Sequence, residues 1–218
     1  MTRRWFTADL HFGHRNIPRY TGRPFPDTDA GVELMNTTLI ELWNQTVGED
    51  DEVWVLGDVA MGRINDTLEL VRELHGRLHL VAGNHDRCWP VEPIPGMSGK
   101  HVSKALEWAD RYRDVGFETI TQDTRLTLHD GTTVRLNHFP YEGDSHDEDR
   151  FVSARPADDG SWLLHGHIHQ TARQRGRQIN VGCDVWALSP VSEDEIVTLI
   201  AEGPRDREPL PYPEVSGD

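Results

Sequence analysis

The chain has 218 residues, enough for one ordinary domain with its own core, and its 36% hydrophobic and 27% charged content is typical of a soluble globular protein. A formal net charge of −15 disfavours a long nucleic acid as partner, because nucleic-acid binders present basic surfaces to phosphates. The sequence shows neither an apolar stretch long enough to span a membrane nor a signal peptide, so we expect a cytoplasmic protein with no membrane partner.

Predicted strands and helices alternate through the first half of the chain. Apolar side chains recur at helical spacing in residues 28–46, and β-branched and aromatic residues in 51–58 favour a short buried strand. In chain order, the predictions are a strand at 3–10, a helix at 28–46, a strand at 51–58, a helix at 65–76 and a strand at 77–84. This order predicts βαβ units around a mostly parallel sheet.

The second half of the chain favours antiparallel pairing. Residues 124–140 have the pattern of a hairpin around Asp130-Gly131, and further strands are predicted within 161–169 and 177–186. Ser192, with Glu195 three positions later, forms a capping-box pattern, which predicts that a helix begins at this point.

Two stretches have an irregular composition. Residues 139–160 are rich in aspartate, glycine and serine and predict a long loop over one end of the sheet, which at that length is either functional or mobile. Residues 203–218 are rich in proline and poor in apolar residues, so we expect a poorly ordered tail. Residues 1–202 are interpreted as a single domain.

Five short runs of aspartate, asparagine, histidine and glycine lie at or just past predicted strand ends. They are Asp9-Leu10-His11, Gly57-Asp58, Gly83-Asn84-His85-Asp86, Asn137-His138 and Gly166-His167-Ile168-His169. Ligands of α/β proteins gather at the carboxyl ends of strands. In extended backbone, residues i and i+2 point the same way, so the first and last runs each offer a pair of side chains.

Together these runs supply seven nitrogen or oxygen donors, named here the seven candidate ligands. They are Asp9, His11, Asp58, Asn84, His138, His167 and His169. One transition-metal ion needs about four to six ligands, so the set is too large for one ion. It suits two ions if Asp58 bridges them, and such pairs activate a water for attack at phosphorus.

The motifs DLH, GDV, GNHD, NHF and GHIH, in this order over residues 9–169, resemble those of the calcineurin-like metallophosphoesterases. The resemblance implies an α/β fold, a four-layer αββα sandwich of two mixed sheets with helices outside. It also implies that His85 is the catalytic histidine. It implies one metal held by Asp9, His11, Asp58 and His169, and a second held by Asp58, Asn84, His138 and His167. It favours Mn²⁺, with Fe, Zn²⁺ and Ni²⁺ left open by the donor types.

The run Asn84-His85-Asp86 combines a candidate ligand with a candidate acid. A histidine near its usual pKa of about 6.5 can protonate a leaving alkoxide. Asp86 is expected to hold the His85 imidazole in the required tautomer, although capping of a following helical turn is an alternative. Candidate substrate contacts, each weighed against a packing or solvated role, are His14, Arg63, Arg87, Tyr141 and Arg150.

These features predict a phosphoester hydrolase in which a hydroxide between two metal ions attacks phosphorus and His85 acts as general acid. A phosphodiester is favoured over a monoester, so a phosphomonoesterase or nucleotide-polyphosphate hydrolase is the alternative. A non-catalytic interaction scaffold on the same fold is a remote alternative, disfavoured because His85 and all seven candidate ligands are present. The expected partner is a small phosphorylated substrate, a nucleotide being one candidate, and the sequence leaves the oligomeric state open.

Overall fold

The structure is a computed structural model that describes residues 2–95 and 97–215. Its strands are β1 (Arg4–Thr7), β2 (Glu52–Val55), β3 (Arg77–Val81), β4 (Phe117–Thr121), β5 (Asp123–Thr127), β6 (Thr133–Asn137), β7 (Trp162–His165), β8 (Gln174–Arg175), β9 (Gln178–Asn180) and β10 (Val191–Ser192). Its α-helices are α1 (Ile17–Thr21), α2 (Asp29–Thr46), α3 (Ile64–Thr67), α4 (Gly99–Asp114) and α5 (Glu193–Ala201).

The strands form two mixed sheets of five. The first has the order β10-β1-β2-β3-β4, in which β1 to β4 are parallel and β10 is antiparallel to β1. The second has the order β5-β6-β7-β9-β8. The two mixed sheets with surrounding helices confirm the predicted fold class.

The second sheet is less antiparallel than predicted. The hairpin of β5 and β6 is confirmed, but β6, β7 and β9 at the centre of the sheet run parallel. Parallel neighbours need a crossover of a dozen or more residues, roughly, and the chain between β6 and β7 supplies one. The irregular stretch at 139–160 is therefore a crossover connection as well as a loop.

Two apolar clusters stabilise the layers. Met35, Leu39 and Trp43 share one face of α2 and pack on the first sheet. The second cluster lies between the sheets, where Phe6 of β1 and Leu136 of β6 are both fully buried. Burying side chains of this size stabilises a fold by about 1.5–3 kcal/mol each.

Three helical segments differ from the sequence prediction. The predicted helix at 65–76 is the short α3 followed by a 3-10 helix at Leu68–Glu73, whose buried Leu68 and Val71 match the three-residue 3-10 period. Helices α1 and α4 were not predicted. The helix at α5 is confirmed, and the Ser192 hydroxyl accepts the expected hydrogen bond from the Glu195 N–H.

The chain after α5 packs more closely than expected. Arg207 forms a bridge with Gln174, and the Leu210 N–H donates to the Val185 carbonyl at 3.1 Å. The Tyr212 hydroxyl reaches the Thr21 carbonyl at 3.1 Å. Up to residue 215 the predicted loose tail is therefore tied to the domain, while 216–218 lie outside the described residues. Within the described ranges, no helix combines the length and apolarity that crossing a membrane requires.

Candidate metal centre and active site

The candidate ligands follow strands of both sheets. Asp9, Asp58 and Asn84 come shortly after β1, β2 and β3, and parallel neighbours end at the same edge of a sheet. His138 and His167 come after β6 and β7 of the second sheet. Asn84 Oδ1 lies 3.1 Å from His138 Nε2 and 3.0 Å from His167 Nδ1, so the two edges meet at this point.

The backbone of this region is unusual. Five candidate ligands have left-handed backbone: Asp9 (φ 57°), His11 (51°), Asp58 (57°), His167 (73°) and His169 (47°). The expectation of extended backbone at residues 9–11 and 167–169 is therefore wrong. A non-glycine residue in this region costs roughly 1–2 kcal/mol. The surrounding structure must hold these residues in place, as is typical of functional sites.

Glycines allow the strand ends to approach each other. A Cβ on Gly83 would lie 2.7 Å from His138 Nδ1, and one on Gly166 would lie 2.7 Å from Asp9 Oδ2. Both distances are shorter than a side chain tolerates. Glycine at these two positions is therefore required for the ligands to converge.

The ligand atoms fall into two overlapping groups. Those of Asp9, His11 and His169 lie within 4.8 Å of one another, as do those of Asp9, Asp58 and His138. Asp58 Oδ2 lies 3.6 Å from His11 Nε2 and 3.5 Å from His138 Nε2. Asp9 belongs to both groups, and the Asp58 carboxylate of the second group also lies close to His11 of the first.

Hydrogen bonds on the outer side of the His138 and His167 rings determine which ring nitrogen of each carries a lone pair and where it points. His138 Nδ1 faces the Leu56 carbonyl at 2.7 Å, and His167 Nε2 faces Asp144 Oδ2 at 3.0 Å. Because these oxygens accept hydrogen bonds, those ring nitrogens carry hydrogen and the other two, His138 Nε2 and His167 Nδ1, keep lone pairs. Both lone pairs face Asn84 Oδ1. Three electron-pair donors directed at one point fit a cation.

His11 gives a second indication that the site fits a cation. Both of its ring nitrogens are buried and find no hydrogen-bond partner among residues 2–95 and 97–215. A buried polar group left unpaired costs about 1–3 kcal/mol, and coordination of a cation would remove that cost. Imidazole, carboxylate and amide donors without a thiolate fit a divalent transition metal.

Burial shifts the acid–base equilibria of the ligands. It raises the pKa of Asp9 to about 6 and also raises the pKa of Asp58, because a low-dielectric environment disfavours a charged carboxylate. It lowers the pKa of His11, which keeps this ring neutral. A dication would stabilise carboxylates and neutral imidazoles together.

A buried ion pair that the sequence did not single out supports His169. His169 Nδ1 donates to Asp184 Oδ2 at 3.1 Å, and Arg23 donates to both Asp184 oxygens at 2.7 and 3.1 Å. Arg23 also donates to the Asp9 carbonyl at 2.6 Å. Although burial acts to raise it, the charge of Arg23 holds the pKa of Asp184 well below its usual range. An aspartate inside the apolar run NVGCDVW was the local signal for this role.

Asp144 supports His167 in the same way. Asp144 belongs to the 139–160 loop, and its carboxylate is fully buried and accepts hydrogen bonds from His167, from Arg150 at 2.8 Å and from Arg155 at 2.9 Å. Nothing local distinguishes Asp144 from the other acidic residues of that loop.

The expected contact between Asp86 and the His85 imidazole is wrong. The Asp86 carboxylate is buried and accepts from the N–H groups of Gly83, Asp58 and Val59 at 2.8–3.0 Å and from the Tyr112 hydroxyl at 3.2 Å. Burial and the charge of Asp58 raise the pKa of Asp86 to about 6. Residues 87–95 contain no helix that Asp86 could cap, so the capping alternative is also wrong. Asp86 instead joins the turn of Asn84 to the turn of Asp58.

Two further histidines stand at the edge of the cluster. The ring centroid of exposed His85 lies 5.5 Å from that of His11, and the His85 N–H donates to Asp58 Oδ1 at 2.8 Å. The ring centroid of His14 lies 5.4 Å from that of His11. Burial, followed by the charge of His85, lowers the pKa of His14 to about 4.

The other substrate candidates are dispersed. Arg87 lines the cavity that borders His85, whereas Arg150 binds the buried carboxylate described above. The Arg63 side chain is 91% exposed and pairs with a neighbouring aspartate on the surface. Tyr141 lines a different cavity and donates its hydroxyl to the Ser161 carbonyl at 3.2 Å. The structure therefore brings His14, Arg87 and Arg150 near the cluster of candidate ligands, but not Arg63 or Tyr141.

A family model and two relatives match most of the chain. A family model described as the calcineurin-like phosphoesterase superfamily domain matches residues 25–193. The Gene 66 protein of Mycobacterium phage D29 is 37% identical over 215 residues, which cover 93% of this chain and 100% of that protein. The uncharacterized protein MJ1445 of Methanocaldococcus jannaschii is 29% identical, with 93% and 94% covered.

One solved structure shares the fold over most of its length. The protein of unknown function AQ665 from Aquifex aeolicus superposes with a TM-score of 0.65, at 21% identity, over 91% of this chain and 100% of that one. At this identity the similarity shows the fold alone.

Proposed function

This chain belongs to the calcineurin-like phosphoesterase superfamily, and on that premise we propose that it is a phosphodiesterase that works with two divalent metal ions. The family supports a metal-dependent phosphoesterase; the diester preference and the residue roles are our inference. We propose Asp9, His11, Asp58 and His169 as ligands of one ion, and Asp58, Asn84, His138 and His167 as ligands of the other. Mn²⁺ is the metal we favour.

The observation that carries the proposal is the direction of the lone pairs. His138 Nε2 and His167 Nδ1 both face Asn84 Oδ1, and Asp58 Oδ2 lies 3.5 Å from the first of them. Without a cation these electron-rich atoms repel one another. Divalent ions bound here would lower the pKa of a water and offset charge on the phosphoryl oxygens.

The side chains around the centre have complementary tasks. As a water oxygen bonds to phosphorus, the bond from phosphorus to the leaving oxygen breaks, and His85 gives that oxygen its proton. His14 Nδ1 accepts the Asn16 N–H at 3.2 Å, so the hydrogen of the neutral ring lies on Nε2. We assign His14 Nε2–H as a donor to a phosphoryl oxygen. Asp86 keeps His85 beside Asp58 by joining their two turns.

Space beside His85 supports the preference for diesters. A cavity of about 590 Å³ begins at Asn84 and His85, which is room for an organic group on the leaving oxygen. A monoester has only its leaving alcohol to accommodate, whereas a diester carries a second organic group as well, and a cavity of this size has room for both.

The test compares bis-p-nitrophenyl phosphate with p-nitrophenyl phosphate on Mn²⁺-loaded protein, and we expect a higher kcat/KM for the diester. A preference for the monoester would favour a phosphomonoesterase instead. Metal-loaded protein without activity on either compound would favour the scaffold.

The role of His85 has its own test. A His85→Ala variant should lose about 10²–10⁴-fold in kcat on a dinucleotide, whose alkoxide leaving group needs a proton. It should lose less on bis-p-nitrophenyl phosphate, whose leaving group does not, and elemental analysis should find its metal retained. His129→Ala, a surface histidine paired with Asp194, is the matched control. Equal losses on both substrates would contradict the assignment.

A further inference from the structure

The cavity beside His85 has an apolar wall that the chemistry at the metals does not use. Trp89 and Trp108, both half-buried, line it together with Met61 and Met97. Large flat or polarisable side chains of this kind bind organic groups by dispersion and stacking. Four such side chains on one wall indicate a site for an organic group rather than a channel for solvent.

Cations stand at the same cavity. Arg87 and Lys104 line it, and neither forms a salt bridge within the described part of the chain. The sequence has two lysines, Lys100 and Lys104, and both lie in the first two turns of α4. Arg87 and Lys104 are the two cations meant here, because Lys100 does not line the cavity. In a chain with a net charge of −15, two cations without a salt-bridge partner on one cavity wall fit an anionic group.

We propose that this cavity binds the leaving alcohol of the substrate, and that this alcohol has an apolar, preferably aromatic, body and carries an anionic substituent. The inference rests on the proposed function, because it is His85 that makes this side of the phosphorus the leaving-group side. The apolar wall binds the body of the alcohol, and Lys104 and Arg87 bind its anion.

Two substrates that differ by one charge test the proposal. They are methyl 4-carboxyphenyl phosphate and methyl 4-(methoxycarbonyl)phenyl phosphate, which share the scissile bond and the aryl body. Each is hydrolysed by water at the aryl P–O bond to methyl phosphate and the phenol. The ratio of their kcat/KM values reports recognition of the anion, and intrinsic differences in reactivity cancel when variants are compared.

In Lys104→Gln we expect this ratio, charged over neutral, to fall about fivefold, the effect of one partly solvated charge pair. Lys104→Arg should restore most of it. Lys100→Gln, which removes a lysine that does not line the cavity, is the matched control for net charge. Product inhibition by 4-hydroxybenzoate should weaken in Lys104→Gln to a similar extent, which gives a binding measurement independent of turnover.

The apolar wall has a separate readout. Trp108→Ala should raise KM for both aryl diesters by about tenfold, since truncating this half-buried aromatic side chain removes much of the apolar wall. Thermal unfolding monitors whether this variant folds, and the lysine variants test the proposal if it does not.

The outcomes separate the two proposals. If wild-type protein hydrolyses both diesters but the ratio is the same in Lys104→Gln and wild type, the cavity does not recognise the anion and the inference falls alone. If metal-loaded wild-type protein hydrolyses neither diester, the proposed function falls and the inference falls with it.

Discussion

Asp144 offers the sharpest test of how the metal centre is supported. The substitution Asp144→Asn keeps the size of the side chain and removes its charge. His167 then loses the charged acceptor that holds its Nε2 hydrogen at 3.0 Å and directs its Nδ1 lone pair toward Asn84. We expect the ion that we propose His167 holds to bind more weakly. The ion that we propose His169 holds should keep its affinity, because Asp144 does not contact His169.

The structure sets the size of the effect. Loss of a residue that orients a metal-binding histidine costs about 10–100-fold in metal affinity, or about 1.4–2.8 kcal/mol. The same change takes from the Arg155 guanidinium, whose side chain is 4% exposed, its nearer charged partner at 2.9 Å and leaves it only Asp149 at 3.7 Å. Charge-assisted hydrogen bonds contribute about 1.5–3 kcal/mol, so we expect the free energy of unfolding of the metal-free protein to fall by about 2 kcal/mol.

Competition between the protein and a fluorescent Mn²⁺ chelator measures the two affinities separately. Asp158→Asn is the matched control, because Asp158 is 48% exposed and pairs with Arg177 on the surface near the end of the same loop. Two unchanged affinities in Asp144→Asn would refute the idea that this carboxylate orients His167. Equal weakening of both ions would refute the division of ligands between them.

Two further predictions concern packing and pH. Gly83→Ala should lower stability by about 1–3 kcal/mol and reduce metal content, because the new Cβ would press on His138 at 2.7 Å, whereas Gly99→Ala, where a Cβ meets nothing within 4 Å, should do neither. Metal-free protein should lose stability as the pH falls from 7 to 5, because burial lowers the pKa of histidines that the unfolded chain protonates near pH 6.5. These are His11, His14, His79, His138, His165 and His167. Asp9 and Asp86, whose pKa is raised to about 6, oppose the loss in part as the pH falls. His169 and Asp58, whose pKa values are also raised, act in the same direction. Denaturant unfolding with a chelator present measures the sum, and higher stability at pH 5 than at pH 7 would contradict the prediction.

The seven candidate ligands could be predicted from the sequence because each lies in a short run beside a strand end. Asp9, Asp58 and Asn84 follow strands whose parallel order was predictable from the alternation of strand and helix. Local pattern could not give the backbone conformation: the left-handed φ of Asp9 and His11 depends on the loops packed around them. The direction of the Asp86 side chain likewise depends on a neighbouring turn 28 positions earlier in the chain.

The residues that orient the ligands were beyond prediction for a related reason. Asp144 is one acidic residue among many in its loop, and Arg23 meets Asp184 across 161 positions. Such pairs are determined by tertiary packing, which spacing along the chain does not report. The short 3-10 segment after α3 illustrates the same limit, because the helical periodicity of 65–76 was real but the local geometry was not α-helical.

The hydrogen bond from Tyr212 to Asp184 at 3.0 Å places the outermost support of His169 in the segment that follows α5. The same hydroxyl contacts Thr21 across 191 positions, so the support of His169 joins residues that are far apart in the sequence. Contacts between residues so far apart in the sequence form slowly during folding. A nascent chain can therefore pair β1 to β4 early, whereas β10 and the contact of Tyr212 with Asp184 can form only after the residues up to 212 have been made.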